Sequence, residues 1–428
     1  MSKSKKTSDV KAAKARRRTS VPSALPWSVP AGAALIAVAV FLAYLPSING
    51  GFIWDDHILI TDNNIIKDSN GPLRIWCTTD PIDYWPMINT SFWIEWRLWG
   101  MHSSGYHVTN LILHIAGTLL IWVILRKLSI PGAFLAAMIF ALHPVNVESV
   151  AWIAQRKNLM AMLFFFISIL WYLKFLELAR RPTFDRCPLA AKQCNAHNPP
   201  STVHCPLPTA HCYTWYWLSL AAFTLAMLSK GSVAVLPVLL LGIVWWLRPL
   251  MWRDLAWSAP FFLIAFVFTV VNMWFQTIGL EGVIRIASFT QRLLGSGCVV
   301  WFYLYKAILP IDLSFVYANW NIEAGNPLWW LPLLSALAVT AVLWRYRKSW
   351  SRPLLFAWGF FCVVLVPVMG FTDVYFMRYA LVADHYEHIA IIAAIALASA
   401  IWGAWRRAAP GWVRHAAAAA AIAVLGTL

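Results

Sequence analysis

Two adjacent carboxylates, Asp55 and Asp56, follow the aromatic sequence Phe52-Ile53-Trp54. They come about ten residues after a long apolar stretch, so we expect them near a membrane surface and partly desolvated. A carboxylate in that setting can act as a general base, and an adjacent like charge raises the pKa of one partner toward neutral pH. A solvated turn in a polar loop is the alternative, and the local sequence leaves both open.

A second polar group lies between residues 143 and 158. Four residues there are candidates for positioning a substrate: His143, Glu148, Arg156 and Asn158. His143 and Glu148 interrupt an apolar pattern, where burial without polar partners is costly. The alternative is a structural network of His143, Asn146 and Glu148 that fixes the turn between two helices.

A third group could bind an anion. Arg378 and His385 precede a late apolar stretch, and Lys230 follows an earlier one. Arginine makes bidentate phosphate contacts, histidine adds a donor or an acid, and lysine neutralises charge. Anchoring of Arg and Tyr at the membrane interface is the alternative interpretation of the Arg378 region.

Four of the seven cysteines and three histidines share one Pro-rich segment: Cys187, Cys194, His197, His204, Cys205, His211 and Cys212. The segment lacks a tight Cys-x-x-Cys pair. An unstructured insertion, a zinc site and disulfides are all open there. We assign the segment no part in the chemistry.

The elements that must position these residues are apolar helices. The chain has 428 residues, of which 60% are hydrophobic and only 12% charged, whereas soluble domains are about one quarter charged. Apolar runs near 20 residues recur from Pro30 onward, long enough to cross a bilayer as helices. We therefore predict an all-α, polytopic integral membrane protein.

The apolar runs predict about eleven transmembrane helices and one re-entrant or interfacial helix near residues 293–309. Treating 293–309 as a full crossing would place a basic cluster on the outside, against the positive-inside rule. The predicted spans lie near residues 30–45, 107–125, 131–150, 159–176, 215–228, 232–247, 255–275, 329–343, 354–369, 389–405 and beyond 411.

Basic residues set the predicted orientation. The net charge of +16 resides in short Lys/Arg blocks between spans, which indicates topology and not nucleic-acid binding. Residues 1–29 form a basic cytoplasmic tail and residues 30–428 a membrane domain. Within that domain, 47–106 is the first outer loop and 179–213 a Cys/His-rich cytoplasmic insertion. The stretch Pro86–Trp99 is predicted to be an amphipathic helix on the membrane surface.

On this topology the three polar groups share the non-cytoplasmic face, although they come from distant parts of the chain. Ionisable groups at helix ends around one cavity are the default expectation for a membrane-embedded site. Neither a Walker A motif, a Rossmann glycine pattern nor a His-Glu-x-x-His motif occurs. Nucleotide-driven pumps and zinc metalloproteases of the familiar kinds are thereby excluded.

Several segments together resemble the transmembrane-and-tetratricopeptide-repeat protein O-mannosyltransferases, in particular their bacterial relatives. The resemblance covers most of residues 35 to 400. The motifs that carry it are Phe52-Ile53-Trp54-Asp55-Asp56, Gly105-Tyr106-His107-Val108-Thr109-Asn110-Leu111, the stretch 143–158, Leu228-Ser229-Lys230, Trp301-Phe302-Tyr303-Leu304 with Leu309-Pro310, and Met377-Arg378-Tyr379 continuing to Val382-Ala383-Asp384-His385.

The resemblance implies a GT-C glycosyltransferase core, a polyprenyl-phosphate sugar as donor and an active site on the non-cytoplasmic face. Within the catalytic pair Asp55 and Asp56, it implies that Asp55 is the base for a Ser or Thr hydroxyl and that Asp56 supports it. Arg378, His385 and Lys230 would stabilise the leaving phosphate, and transfer would invert the anomeric carbon. The sugar would be a mannose-like hexose.

The same resemblance implies an acceptor protein or glycolipid, membrane lipid as a partner, no nucleic acid, and the inner membrane of a bacterium. No cofactor is expected; a divalent ion on Asp55 and Asp56 is possible but not favoured. Family members usually continue into tetratricopeptide repeats, and this chain ends before any, which weakens the protein-acceptor assignment. A transporter or flippase of lipid-linked sugar and a non-catalytic scaffold are the competing hypotheses.

Overall fold

A computed structural model describes residues 28–180, 210–279 and 284–408 of the chain. Within these ranges the protein is all-helical and has no β-strand, as predicted. The predicted basic tail, most of the Cys/His-rich insertion and the span beyond residue 411 lie outside them. The α-helices, in chain order, are α1 (Val29–Tyr44), α2 (Asn64–Lys67), α3 (Gly71–Cys77), α4 (Pro86–Trp99), α5 (Ser103–Lys127), α6 (Ala133–Leu142), α7 (Asn146–Ala151), α8 (Arg156–Arg180), α9 (Ala210–Met227), α10 (Leu236–Leu247), α11 (Trp252–Gly279), α12 (Phe289–Ile308), α13 (Trp330–Arg345), α14 (Arg352–Leu365) and α15 (Ile391–Ala408).

Five helical segments in the described part of the chain are long and apolar enough to cross a membrane: Val29–Asn49, Ser103–Lys127, Ile153–Ala179, Trp252–Ile278 and Pro327–Arg345. Shorter apolar helices occupy Ala133–Leu142, Gly231–Leu247 and Arg352–Val368. These helices indicate a membrane protein. The count of eleven spans stays a prediction.

The third predicted span, 131–150, is wrong as a single helix. Helix α6 ends at Leu142, His143 adopts an extended conformation (φ −66°, ψ 128°), and α7 begins at Asn146. The cause is Pro144, which lacks an N–H donor and disfavours helical geometry in the residue before it. The break separates Glu148 from α6, and α7 packs instead against the short 3-10 helix Asp384–Tyr386.

The first outer loop, 47–106, is a packed helical layer. Helix α4 has the predicted bounds, Pro86–Trp99, and buries Ile88, Phe92 and Glu95 on one side. Ile60, Ile66 and Tyr106 complete a small core beneath it. This core holds the segment around Asp55 against the start of α8.

The stretch predicted to be re-entrant or interfacial forms one continuous helix, α12, of 20 residues. A capping box begins it, because the Ser288 hydroxyl accepts from Gln291 N–H and the Gln291 side chain accepts from Ser288 N–H. It packs against α13 and α15 and is not among the five candidate spans. Its placement relative to the membrane stays a prediction.

Candidate active site

Glu148 and His385, which are 237 residues apart, form a buried pair. Glu148 Oε2 accepts the backbone N–H of His385 at 2.9 Å, and Oε1 lies 2.7 Å from His385 Nδ1. Burial raises the pKa of Glu148 to about 7, while burial and the nearby Lys230 ammonium lower the pKa of His385 well below its ordinary value. Below pH 7 the Glu148 carboxyl is therefore protonated beside a neutral imidazole, with Nδ1 engaged by the carboxyl and Nε2 left for a ligand.

Lys230 lies beside this pair, in the turn that precedes the 3-10 helix Gly231–Val235. Its ammonium donates to Asn158 Oδ1, and Asn158 Nδ2 in turn lies 3.0 Å from the carbonyl oxygen of His385. Burial and the neighbouring Lys157 lower the pKa of Lys230 to about 7. The two remaining ammonium hydrogens are available to an anion, whose charge would restore the protonated form.

These residues line a small cavity with one polar end and an apolar wall. The polar residues are Asn158, Lys230, Ser232, His385, Tyr386 and His388. The apolar residues are Ala161, Phe165, Val233, Val235, Val364, Val368 and Ile389. The polar end can bind a small anionic group through Lys230, and the apolar wall lies beside it.

Asp55 is the accessible member of the acidic pair. Its side chain is 27% exposed and lies 3.9 Å from the ammonium of Lys157, which also lies over the Trp85 ring at 4.6 Å. Because Lys157 directly precedes Asn158, Asp55 and the cavity are linked through two consecutive residues of α8. A partly exposed carboxylate can accept a proton from a bound substrate.

Asp56 is fully buried. Oδ2 accepts the backbone N–H of Ile53 at 2.9 Å, and Oδ1 accepts that of Ala154 at 2.7 Å. Burial raises its pKa to about 6. Asp56 thus attaches the Asp55 turn to the residues before α8, and its place in the predicted catalytic pair is that of a support for Asp55.

His143 takes the structural role that was its alternative. Its Nε2 lies 3.3 Å from the Ala307 carbonyl oxygen, and its Nδ1 accepts the backbone N–H of Val145 at 3.3 Å. Burial lowers its pKa to about 4, so the imidazole is neutral. His143 closes the break after α6 and is not among the residues that line the cavity.

Arg156 likewise lies behind the site. It is ion-paired with Glu95, donates through Nε to Asn110 Oδ1 at 3.0 Å and through Nη2 to the Tyr106 carbonyl at 2.9 Å, and has no exposed surface. A charge at membrane depth requires such partners. Its assignment as a substrate-positioning residue is therefore corrected: Arg156 joins α4, α5 and α8.

Arg378 does not line the cavity. It is exposed at the end of the 3-10 helix Tyr375–Arg378. The next residue, Tyr379, packs edge-on against the Trp54 ring, with centroids 5.4 Å apart. Arg378 therefore lies next to the residue that packs on the Asp55 turn, and its assignment to the donor phosphate stays a prediction.

Three residues not chosen from the sequence belong to the site. Lys157 pairs with Asp55, and Tyr386 lies 5.8 Å from the Lys230 ammonium. His388 donates through Nδ1 to Asn146 Oδ1 at 2.9 Å, which leaves its Nε2, on the cavity lining, without a partner in the described chain. The sequence signal that could have identified them is position: Lys157 directly precedes Asn158, and Tyr386 and His388 closely follow His385.

No group of three His, Cys, Asp or Glu side chains that could hold a metal ion occurs within residues 28–180, 210–279 and 284–408. The preference for a metal-free reaction remains a prediction.

Comparison with known proteins gives several relatives that bear the same name. The chain is 34% identical over 166 residues to protein O-mannosyl-transferase TMTC1 of Mus musculus, which covers 35% of this chain and 17% of that protein. It is 31% identical over 186 residues to TMTC4 of Homo sapiens (36% and 25%) and 28% identical over 159 residues to F38B6.6 of Caenorhabditis elegans (33% and 22%), both likewise named protein O-mannosyl-transferases.

The predicted resemblance to this family is confirmed. The alignments span about a fifth of the length of the curated relatives. No protein-family model and no solved structure matches the chain.

Proposed function

We propose that the chain is a membrane glycosyltransferase that transfers a mannose-like hexose from a polyprenyl-phosphate donor to a hydroxyl acceptor. The observation that carries the proposal is the cavity whose polar end, Lys230 with His385, lies beside an apolar wall, with the Asp55 carboxylate paired to Lys157, the residue before Asn158 of the cavity lining. The relatives named protein O-mannosyl-transferases support both the reaction class and the sugar.

The proposed roles fall at two ends of the site: phosphate binding at one end and proton acceptance at the other. Lys230 and His385 bind the donor phosphate, and Asn158 holds the ammonium of Lys230 in place. Asp55 accepts the proton of the attacking hydroxyl, and Asp56 fixes the Asp55 turn. Attack from the Asp55 end while the phosphate leaves at the Lys230 end inverts the anomeric carbon.

The acceptor and the membrane side follow from the same proposal. A Ser or Thr hydroxyl of a protein is the preferred acceptor because the relatives are named for protein O-mannosylation, and a glycolipid hydroxyl is the second possibility. The site is proposed to face the non-cytoplasmic side of a bacterial inner membrane. Asp55→Cys should react with a membrane-impermeant thiol reagent from that side, and reaction only from the cytoplasm would contradict the orientation.

Transfer of labelled mannose from polyprenyl phosphoryl mannose to Ser/Thr peptides tests the function. Lys230→Met should reduce transfer about 10- to 100-fold, the worth of a lost charge-assisted hydrogen bond. Lys174→Met, the same change near the opposite end of α8, should not. No transfer by the unaltered protein to peptide or glycolipid acceptors would contradict the proposal, and movement of intact donor across the bilayer would favour a flippase.

A further inference from the structure

Three aromatic side chains form a continuous row between Asp55 and the cavity, here called the aromatic bridge: Trp54, Phe315 and Trp152. The ring centroids of Trp54 and Phe315 are 5.0 Å apart, and those of Phe315 and Trp152 are 4.8 Å apart. At its inner end, Trp152 meets the His385 ring edge-on at 5.9 Å. Asp55 follows Trp54 directly, so the bridge connects the base with the phosphate-binding end.

The outer end of the bridge is held in a strained conformation. Trp54 has φ 48°, in the left-handed region that a bulky L-residue rarely adopts. The turn is fixed by hydrogen bonds from Asp56 N–H to Ile53 O at 2.9 Å and from His57 N–H to Trp54 O at 3.1 Å. Local folding would favour glycine here, yet a large ring occupies the position and stays 40% exposed. Strain of this kind indicates a functional demand on the side chain.

The inner end of the bridge carries an unused donor. Trp152 is buried, and its Nε1–H has no acceptor in the described part of the chain. A buried donor normally has a partner, since leaving it without one is costly. Phe315, which covers this indole, belongs to the segment 309–326, which has no regular helix. A small shift of Phe315 would open Nε1 to a ligand oxygen.

We propose that the aromatic bridge is the subsite for the sugar ring of the donor. The inference rests on the proposed function. In that reaction the acceptor oxygen bonds to the anomeric carbon and its proton passes to Asp55, while the bond from that carbon to the phosphate oxygen breaks and its electron pair leaves with the phosphate. The sugar must therefore lie between Asp55 and the phosphate site, alongside the bridge that joins Trp54 to His385.

The chemistry of the bridge suits a hexose. A pyranose presents a C–H face that packs on aromatic rings, here Phe315 and Trp54, and hydroxyl oxygens that accept a hydrogen bond, here from Trp152 Nε1. The phosphate and lipid are bound elsewhere, by Lys230, His385 and the apolar wall. Bridge residues should therefore distinguish a sugar-bearing lipid phosphate from one without sugar.

Binding of two probes tests this distinction: farnesyl phosphate and farnesyl phosphoryl mannose, titrated onto the purified full chain in detergent. Phe315→Leu keeps an apolar side chain but loses the ring, and Trp152→Phe keeps a ring but loses Nε1–H. Each should weaken binding of the mannosyl probe about tenfold and leave farnesyl phosphate within about twofold. Phe371→Leu, at an exposed phenylalanine outside the bridge, should change neither.

Unchanged binding of farnesyl phosphate also shows that each variant is folded. Equal weakening of both probes, or no weakening of either, would overturn the sugar subsite while leaving the phosphate site intact. If the unaltered chain bound neither probe, or if Lys230→Met did not weaken farnesyl phosphate, the proposed function would fail and the subsite with it.

Discussion

Replacing Glu148 with Gln tests how the Glu148–His385 pair serves the donor phosphate. When Glu148 is protonated, its hydroxyl donates to His385 Nδ1, and the imidazole presents Nε2–H to a phosphate oxygen. When Glu148 is ionised, the imidazole hydrogen lies on Nδ1 and is donated to the carboxylate, so Nε2 presents a lone pair to the ligand. Since burial raises the pKa of Glu148 to about 7, the binding-competent form is present below pH 7 and is lost as the pH rises through that value.

Lys230 titrates in the same direction, because burial lowers its pKa to about 7 and only the ammonium attracts phosphate. Two protons are then linked to binding, and affinity should fall up to about 100-fold per pH unit above 7. In Glu148→Gln the amide oxygen accepts the His385 backbone N–H and the amide nitrogen donates to Nδ1, which keeps the proton on Nε2. One linked proton remains, and the fall should be about tenfold per pH unit.

Glu148→Ala provides the contrast. It removes the 2.7 Å and 2.9 Å contacts together and leaves the buried backbone N–H of His385 without an acceptor. Near pH 6, where Glu148 of the unaltered chain is protonated and holds the imidazole in place, Glu148→Ala should weaken binding about 10- to 100-fold, and the difference should shrink as the pH rises above 7.

Titration with farnesyl phosphoryl mannose from about pH 6 to pH 9 measures these slopes, because a phosphodiester does not titrate in this range. The other charged groups facing the pair, Lys157, Asp384 and Asp55, are the same in all variants. If the affinity of Glu148→Gln fell with pH as steeply as that of the unaltered chain, protonation of Glu148 would not control which nitrogen of His385 carries the hydrogen. A Glu148→Gln variant as weak as Glu148→Ala near pH 6 would lead to the same conclusion.

Two further predictions concern stability, measured as thermal unfolding in detergent. Asp56→Ala leaves the N–H groups of Ile53 and Ala154 without their acceptor and should destabilise the fold by about 2–4 kcal/mol; no loss would contradict the anchoring role. Arg156→Leu leaves Glu95 buried without its cation and should cost about 3–5 kcal/mol, whereas adding Glu95→Leu should recover much of it. A double variant no more stable than the single one would show that the ion pair is not the cause.

The fold could be predicted where one physical rule dominates. Apolar length alone identifies α1, α5, α8, α11 and α13 as candidate spans. Amphipathic patterning gives the bounds of α4. The rule fails at His143, where Pro144 interrupts the helix although the surrounding residues are apolar enough to continue it.

The site was predictable in its residue types but not in its partners. Sequence placed Glu148, Lys230 and His385 on one face, yet no local signal shows that Glu148 bonds His385. Arg156 was misassigned because a charge in an apolar helix indicates either a site or an internal ion pair, and its partner Glu95 lies on α4. Composition does not distinguish Asp55 from its neighbour Asp56; the resemblance alone made Asp55 the base, and the structure separates them by the direction each side chain takes from the turn.

The central claim is that Asp55 is the base of a sugar transfer from a lipid phosphate. The most direct test is single-turnover transfer of labelled mannose from polyprenyl phosphoryl mannose by Asp55→Asn. Asp62→Asn, which makes the same change elsewhere in the first outer loop, is the matched control. We predict that Asp55→Asn binds the donor with unchanged affinity but transfers about 10²- to 10⁴-fold more slowly, while Asp62→Asn behaves as the unaltered protein. Transfer by Asp55→Asn at the unaltered rate would contradict the claim.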